Sequence, residues 1–272
     1  MRDLSIDDVA EIIEYIPELK DIILIGGQAL NYWAEILGLA DAKSTGAYGP
    51  ATSKDIDFLG SIAAVRAFAA GVQGVLSIAG WDDSFSPNSG VVAFDFHGET
   101  REIDFLANMD GFTTVELSTV RKWAQRVQLR ESLTASLAVM HPMHCLQAQL
   151  ENIYGTLDRR GSEAGLRYAS RVRLAVEACR RLSEKSASAG DTETAIVIAE
   201  HVHALSLLSS ALRARREDGV RLEDGIYSGA GMPSNFLKLR IAQMQRLLDR
   251  KVTKYEAVQV RKQSRTKSRP PA

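Results

Sequence analysis

DIILIGGQALNYW (residues 21–33), KDIDFLG (54–60) and REIDFLANM (101–109) are the stretches whose reading decides the fold. Residues 21–25 form a short apolar run, which predicts a buried strand. Gly26 and Gly27 break that run. QALNYWAEILGL then repeats apolar residues at helical spacing, with Ala29, Leu30, Trp33, Ile36 and Leu37 on one face. In DIDFLG the carboxylates of Asp55 and Asp57 are two residues apart. On a strand, side chains alternate faces, so both point one way while Ile56 and Phe58 point into the core. REIDFL repeats the pattern, with Asp104 between Ile103 and Phe105. A neighbouring antiparallel strand is expected to bring Asp104 beside the first pair. Glu102 shares the face of Asp104 and is a weaker candidate.

Like charges held this close repel, and a cation between them relieves the repulsion. Magnesium, or manganese in its place, suits such a site because it takes oxygen ligands and leaves coordination positions for phosphates. Asp55, Asp57 and Asp104 are therefore the candidate metal ligands and catalytic carboxylates. Three carboxylates can hold two metal ions, one activating an attacking hydroxyl and one neutralising a triphosphate. The glycine pair leaves room for phosphate oxygens to reach backbone N–H groups, and the helix that follows adds a favourable dipole. Taken alone, Gly26–Gly27 is a tight turn and DID is surface charge. The order strand, glycine pair, helix, DID, then a later apolar-flanked Asp is much more specific.

Working outward, residues 5–18 suit a helix capped by Ser5 or Asp7. Residues 40–54 are rich in glycine and small polar residues and predict a loop. A helix is expected over 62–71 and strands over 75–79, 91–96 and 102–107, with a turn at His97–Gly98. Helices are then expected over 142–155, 163–185, 192–216 and 235–262, with Pro142 as a first helical residue and Asp191 as an N-cap. The expected architecture is an α/β (α+β) domain with a mixed sheet over 1–135, an all-helical bundle domain over 136–262, and a basic disordered tail over 263–272.

The chain has 272 residues, 45% of them hydrophobic and 25% charged, which is ordinary globular composition. Its net charge of −1 hides a split: residues 1–117 carry 6 Lys/Arg against 19 Asp/Glu, and the remainder carries 27 against 15. The split suits either two segments that attract each other or a basic surface for a polyanion such as RNA beside an acidic metal site. The acidic N-terminus and the absence of an apolar run of about 18 residues predict no membrane span and a cytoplasmic protein. Cys145 and Cys179 are expected to be reduced and buried. His141, His144 and Cys145 lie at i, i+3 and i+4, but a zinc site needs ligands that the neighbouring sequence does not offer. The arginines at 159, 160, 167, 171, 173, 180 and 181 fit a solvated helix face as well as an RNA-facing stripe.

IGGQALNYW, TSKDIDFLG and EIDFL together resemble the nucleotidyltransferase superfamily that includes polymerase beta, CCA-adding and aminoglycoside-modifying enzymes. The closest likeness is to the bacterial AbiEii-type proteins, toxins of toxin–antitoxin and phage-defence systems. The motifs cover residues 20–107. The resemblance implies that Gly26, Gly27 and Ser53 contact phosphates of a nucleoside triphosphate, with Lys54 a nearby cation, and that Asp55, Asp57 and Asp104 bind metal. It implies transfer of a nucleotide to an acceptor hydroxyl, on RNA such as tRNA or on a protein, and an antitoxin partner. The alternatives are a binding module that keeps the fold without catalysis, and an enzyme modifying a small antibiotic. Ala51 stands where many relatives carry Arg, and the helix after the carboxylate domain offers Gln147 and Gln149 where relatives often place Lys or Arg.

Overall fold

The computed structural model describes residues 3–16, 21–39, 53, 55–78, 88–109, 111–130, 136–155 and 163–267, with side chains at all of these except 163–168 and 263–267. Two compact units divide between Ala178 and Cys179. The first begins with α1 (Ile6–Glu14), whose Ser5 hydroxyl accepts from Asp8 N–H while the Asp8 carboxylate accepts from Ser5 N–H. This reciprocal pair satisfies donors that the first helical turn leaves open, and it fixes Ser5 as the cap.

β1 (Ile22–Ile25) leads directly into α2 (Gly26–Ile36). β2 (Ile56–Gly60), α3 (Ile62–Gly71), β3 (Val75–Ile78), β4 (Asn88–Phe96) and β5 (Glu99–Leu106) follow. Then come α4 (Thr114–Trp123), β6 (Gln125–Val127), β7 (Leu137–Val139) and α5 (Pro142–Tyr154). Among the described residues, seven strands make one mixed sheet in the order β3-β4-β5-β2-β1-β7-β6. β1 is a continuous apolar run with all four residues buried, as expected of a strand covered on both faces. Phe58, Phe68 and Phe105 pack with centroids 5.2–5.8 Å apart. Trp33 on α2 is buried, and its indole N–H donates to the Met140 carbonyl at 2.7 Å, tying α2 to the chain entering α5.

The expected boundary at 135/136 is not where this unit ends. β7 pairs in parallel with β1, and α5 packs on α2, so residues 137–154 complete the sheet layer. β5 also differs from expectation. It runs parallel to β2, because the β4–β5 hairpin places β4 on the far side and returns β5 alongside β2 in the same direction.

α6 (Glu163–Ser188) carries the chain from the first unit into the second. The second unit holds α7 (Thr192–Ser206), α8 (Ser209–Asp218), a 3-10 turn (Leu222–Gly225), a π-helical turn (Phe236–Ile241) and α9 (Ala242–Lys267). Asp191 caps α7 by accepting from Thr194 N–H at 3.1 Å, and hydrogen bonds from the Thr194 side chain and backbone lower its carboxyl pKa. The single helix expected over 192–216 is broken after Ser206, and the two pieces bend by 77°. Ala187, Ala195, Ala199, Met232, Phe236 and Met244 form a small core in this unit. Beyond Leu248, no described side chain of α9 is buried. α9 continues to Lys267, five residues into the stretch expected to be a disordered tail; residues 268–272 lie outside the described residues, as do the loop over 40–52, Lys54, Asp158, Arg159 and Arg160. Among the described residues, no single helix is long and apolar enough to cross a membrane.

Candidate active site

The carboxylates are placed by sheet register. Ile25, the last residue of β1, lies opposite Asp57 on β2, and Asp57 is level with Asp104 on β5. Ile56, Phe58, Ile103 and Phe105 on the opposite face are at most 1% exposed. Burying each aromatic ring contributes up to roughly 3 kcal/mol, enough to hold the strands in register against repulsion between the acids. Asp57 and Asp104 are half-buried, and Asp55 is exposed at the entrance to β2. Asn88, at the start of β4, donates its amide N–H to Asp104 Oδ1 at 3.2 Å.

The glycine pair abuts this face. Gly26 has φ of +65°, a left-handed conformation that side chains disfavour. A Cβ there would run into the Asp57 carboxylate. A Cβ on Gly27 would lie 2.9 Å from Ser53 Oγ and 3.2 Å from Arg171 Nη1. Both glycines therefore keep the first turn of α2 open to the acids. Ser53 is held from behind. Its carbonyl accepts from Leu4 N–H at 2.8 Å and from Gln28 Nε2 at 3.4 Å. Gln28, fully buried, also donates to the Leu4 carbonyl at 3.0 Å and accepts from Asn31 Nδ2 at 3.0 Å. Gln28 and Asn31 thus position Ser53 against the glycine turn; the signal in the sequence is their place one and four residues after Gly27, on one face of α2.

A cavity of about 400 Å³ opens here, and Gly26, Gly27, Ser53, Asp55, Asp57 and Asp104 all line it. Of the sequence candidates, Lys54 lies outside the described residues, and Glu102 is not in the described wall. Arg171, Gln149, Asn152 and Asn108 join the wall from elsewhere in the chain. Arg171 thus lines this cavity; on the sequence it was one of a series assigned either to solvent or to RNA. His141, His144 and Cys145 are buried at the start of α5, where His141 Nδ1 accepts from Met143 N–H at 3.4 Å.

Burial, the Asp104 charge and the Asp55 charge together push the Asp57 carboxyl up to about 7, against a partial opposing pull from Arg171. Burial, Asp55 and Glu102 likewise raise Asp104. Among the described residues, no three acidic, imidazole or thiolate side chains form a closed group around one point. The donor chemistry nonetheless fits a hard dication: all-oxygen, anionic, crowded, and strained by its own charge.

One pH dependence follows. Asp57 keeps its proton in the folded chain up to about 7 but loses it near its ordinary 3.8 when unfolded. Its contribution is fully present below pH 4 or so and is lost as pH rises toward 7. In chelator, the melting temperature of the parent should therefore fall relative to Asp57→Asn between pH 5 and pH 8. A constant difference between the two proteins across that range would contradict the assigned burial of Asp57.

Comparison with protein-family models, with curated proteins and with solved structures gives no match to this chain.

Proposed function

We propose that this chain is a metal-dependent nucleotidyltransferase that moves a nucleotide from a nucleoside triphosphate to an acceptor hydroxyl. The observation that carries the reading is the convergence, in one cavity, of a glycine turn opening a helix, a serine and three strand-borne aspartates. The N–H groups of Gly26 and Gly27 and the Ser53 hydroxyl donate to triphosphate oxygens at the positive end of α2. Arg171 offsets phosphate charge with a planar fork of donors. Asp55, Asp57 and Asp104 would hold magnesium, which when bound neutralises the triphosphate and makes an acceptor hydroxyl more acidic. The acceptor oxygen forms a bond to the α-phosphorus as the bond from that phosphorus to the bridging oxygen breaks, and pyrophosphate leaves. Asp104, its pKa raised by burial and neighbouring acids, is suited to take the hydroxyl proton.

The excess of Lys and Arg after residue 117 favours RNA as the acceptor, and the sequence resemblance extends the reading to a bacterial toxin with an antitoxin partner. The direct test incubates purified protein with each α-labelled triphosphate, magnesium, and either total RNA or total protein from a bacterial lysate. Label should enter one acceptor class, only with metal, and not with Asp104→Ala. Label in neither class, or equal labelling by Asp104→Ala, would rule out the proposed transfer. For an RNA acceptor, filter binding should also weaken steeply between 50 and 200 mM salt, since each neutralised phosphate releases counterions (roughly one log unit per log of salt for each contact).

A further inference from the structure

We propose that Gln149, with Asn152 and Asn108, forms a carboxamide subsite that binds the nucleobase of the incoming nucleotide; this rests on the nucleoside triphosphate reading above. α5 is almost wholly buried, yet two of its buried residues are glutamines, on different faces of the helix. Gln147 is satisfied, donating to Glu116 Oε1 at 2.9 Å. Gln149 is 4% exposed and lines the active-site cavity, and its amide atoms are not among the sealed, unpartnered side-chain atoms of the described residues, so they meet the cavity space. An amide at the cavity wall of an otherwise buried helix is placed to exchange hydrogen bonds with whatever fills the cavity. Asn152 lies three residues on, on the same helix face, and Asn108 approaches from the chain leaving β5; both line the same cavity.

The cavity wall therefore offers two chemistries. Gly26, Gly27, Ser53, the aspartates and Arg171 suit phosphate and metal. Gln149, Asn152 and Asn108 offer neutral groups, each with a donor and an acceptor side by side. That pairing matches the edge of a nucleobase, where amino or imino donors alternate with ring nitrogen and carbonyl acceptors. It is poorly matched to a phosphate, which offers only acceptors. An amide left unpaired by the wrong base gives discrimination as well as affinity.

The test separates base from triphosphate by using inorganic tripolyphosphate as the probe that lacks a nucleoside. Calorimetry with magnesium compares tripolyphosphate with ATP, GTP, CTP and UTP. The parent should bind tripolyphosphate, and should bind its preferred nucleotide roughly tenfold tighter or better. Gln149→Met keeps the side chain's length and removes its polar groups; it should erase that margin and leave tripolyphosphate affinity unchanged. Its melting temperature should hold, because methionine keeps the packing of the side-chain stem. Asn152→Ala, at a half-buried position, should reduce the margin without loss of folding. An undiminished margin in both variants would overturn the subsite while leaving the triphosphate reading standing. A lower melting temperature in Gln149→Met with the margin kept would make Gln149 a packing residue. If the parent binds neither tripolyphosphate nor any nucleotide, the underlying reading fails and the subsite with it.

Discussion

Asp57→Asn should lower nucleotide transfer by roughly a thousandfold or more, the largest effect expected of any single change in this chain. Asp57 occupies the middle of the site, opposite Ile25 on one neighbouring strand and level with Asp104 on the other. Its carboxylate touches the space beside Gly26, where triphosphate oxygens are expected. Asparagine preserves shape and removes the charge, so the fold should persist; relief of repulsion from Asp104 and Asp55 should even raise the melting temperature at pH 8. The measurement is single-turnover transfer from labelled triphosphate alongside a thermal melt. Retained transfer in a folded Asp57→Asn protein would remove Asp57 from the chemistry.

If the chain is a toxin, the same logic predicts that expression in bacteria slows growth and that Asp55→Ala restores it. An equally toxic Asp55→Ala variant would separate toxicity from nucleotide transfer.

Local pattern made the centre of the site legible. Period-2 alternation put Ile56 and Phe58 inside and Asp55 and Asp57 together outside, and Ile103 and Phe105 did the same for Asp104. The two strands bring Asp57 and Asp104 level as expected, but they pair in parallel and not antiparallel. Antiparallel or parallel pairing depends on where the β4–β5 hairpin sits, and no residue within either strand encodes that. β6 and β7 are three residues each, too short to show a period, and β7 moved the unit boundary when it paired with β1. The break after Ser206 occurs within an apolar stretch whose spacing looks continuous from one side of the bend to the other. Arg171 and Gln149 were visible as residues but not as neighbours of Gly27, since more than 100 positions separate them in sequence. Only tertiary packing brings them to one wall.

Gly26→Ala is the second change expected to act strongly. At φ of +65° a methyl group adds strain of about 1–2 kcal/mol, and it would also push against the Asp57 carboxylate. Displacing a reacting group by about 1 Å can cost on the order of a hundredfold in rate. Gly38→Ala supplies the control. Gly38 has φ of +68°, and among the described residues a Cβ there would have nothing within 4 Å. Gly26→Ala should lose at least as much stability as Gly38→Ala in denaturant unfolding, but only Gly26→Ala should lose nucleotide transfer. Equal activity losses in the two would assign the effect to strain in general and not to the contact with Asp57.

The central claim is that the three aspartates and the glycine turn form one metal-dependent triphosphate site. Isothermal calorimetry at pH 8, above the raised pKa of Asp57, tests it most directly: a triphosphate is titrated into the parent and into Asp57→Ala, with magnesium and then with chelator. Tight binding by the parent that needs magnesium, and at least tenfold weaker binding by a folded Asp57→Ala, is the predicted result. Equal affinity with and without metal, in both proteins, would contradict it.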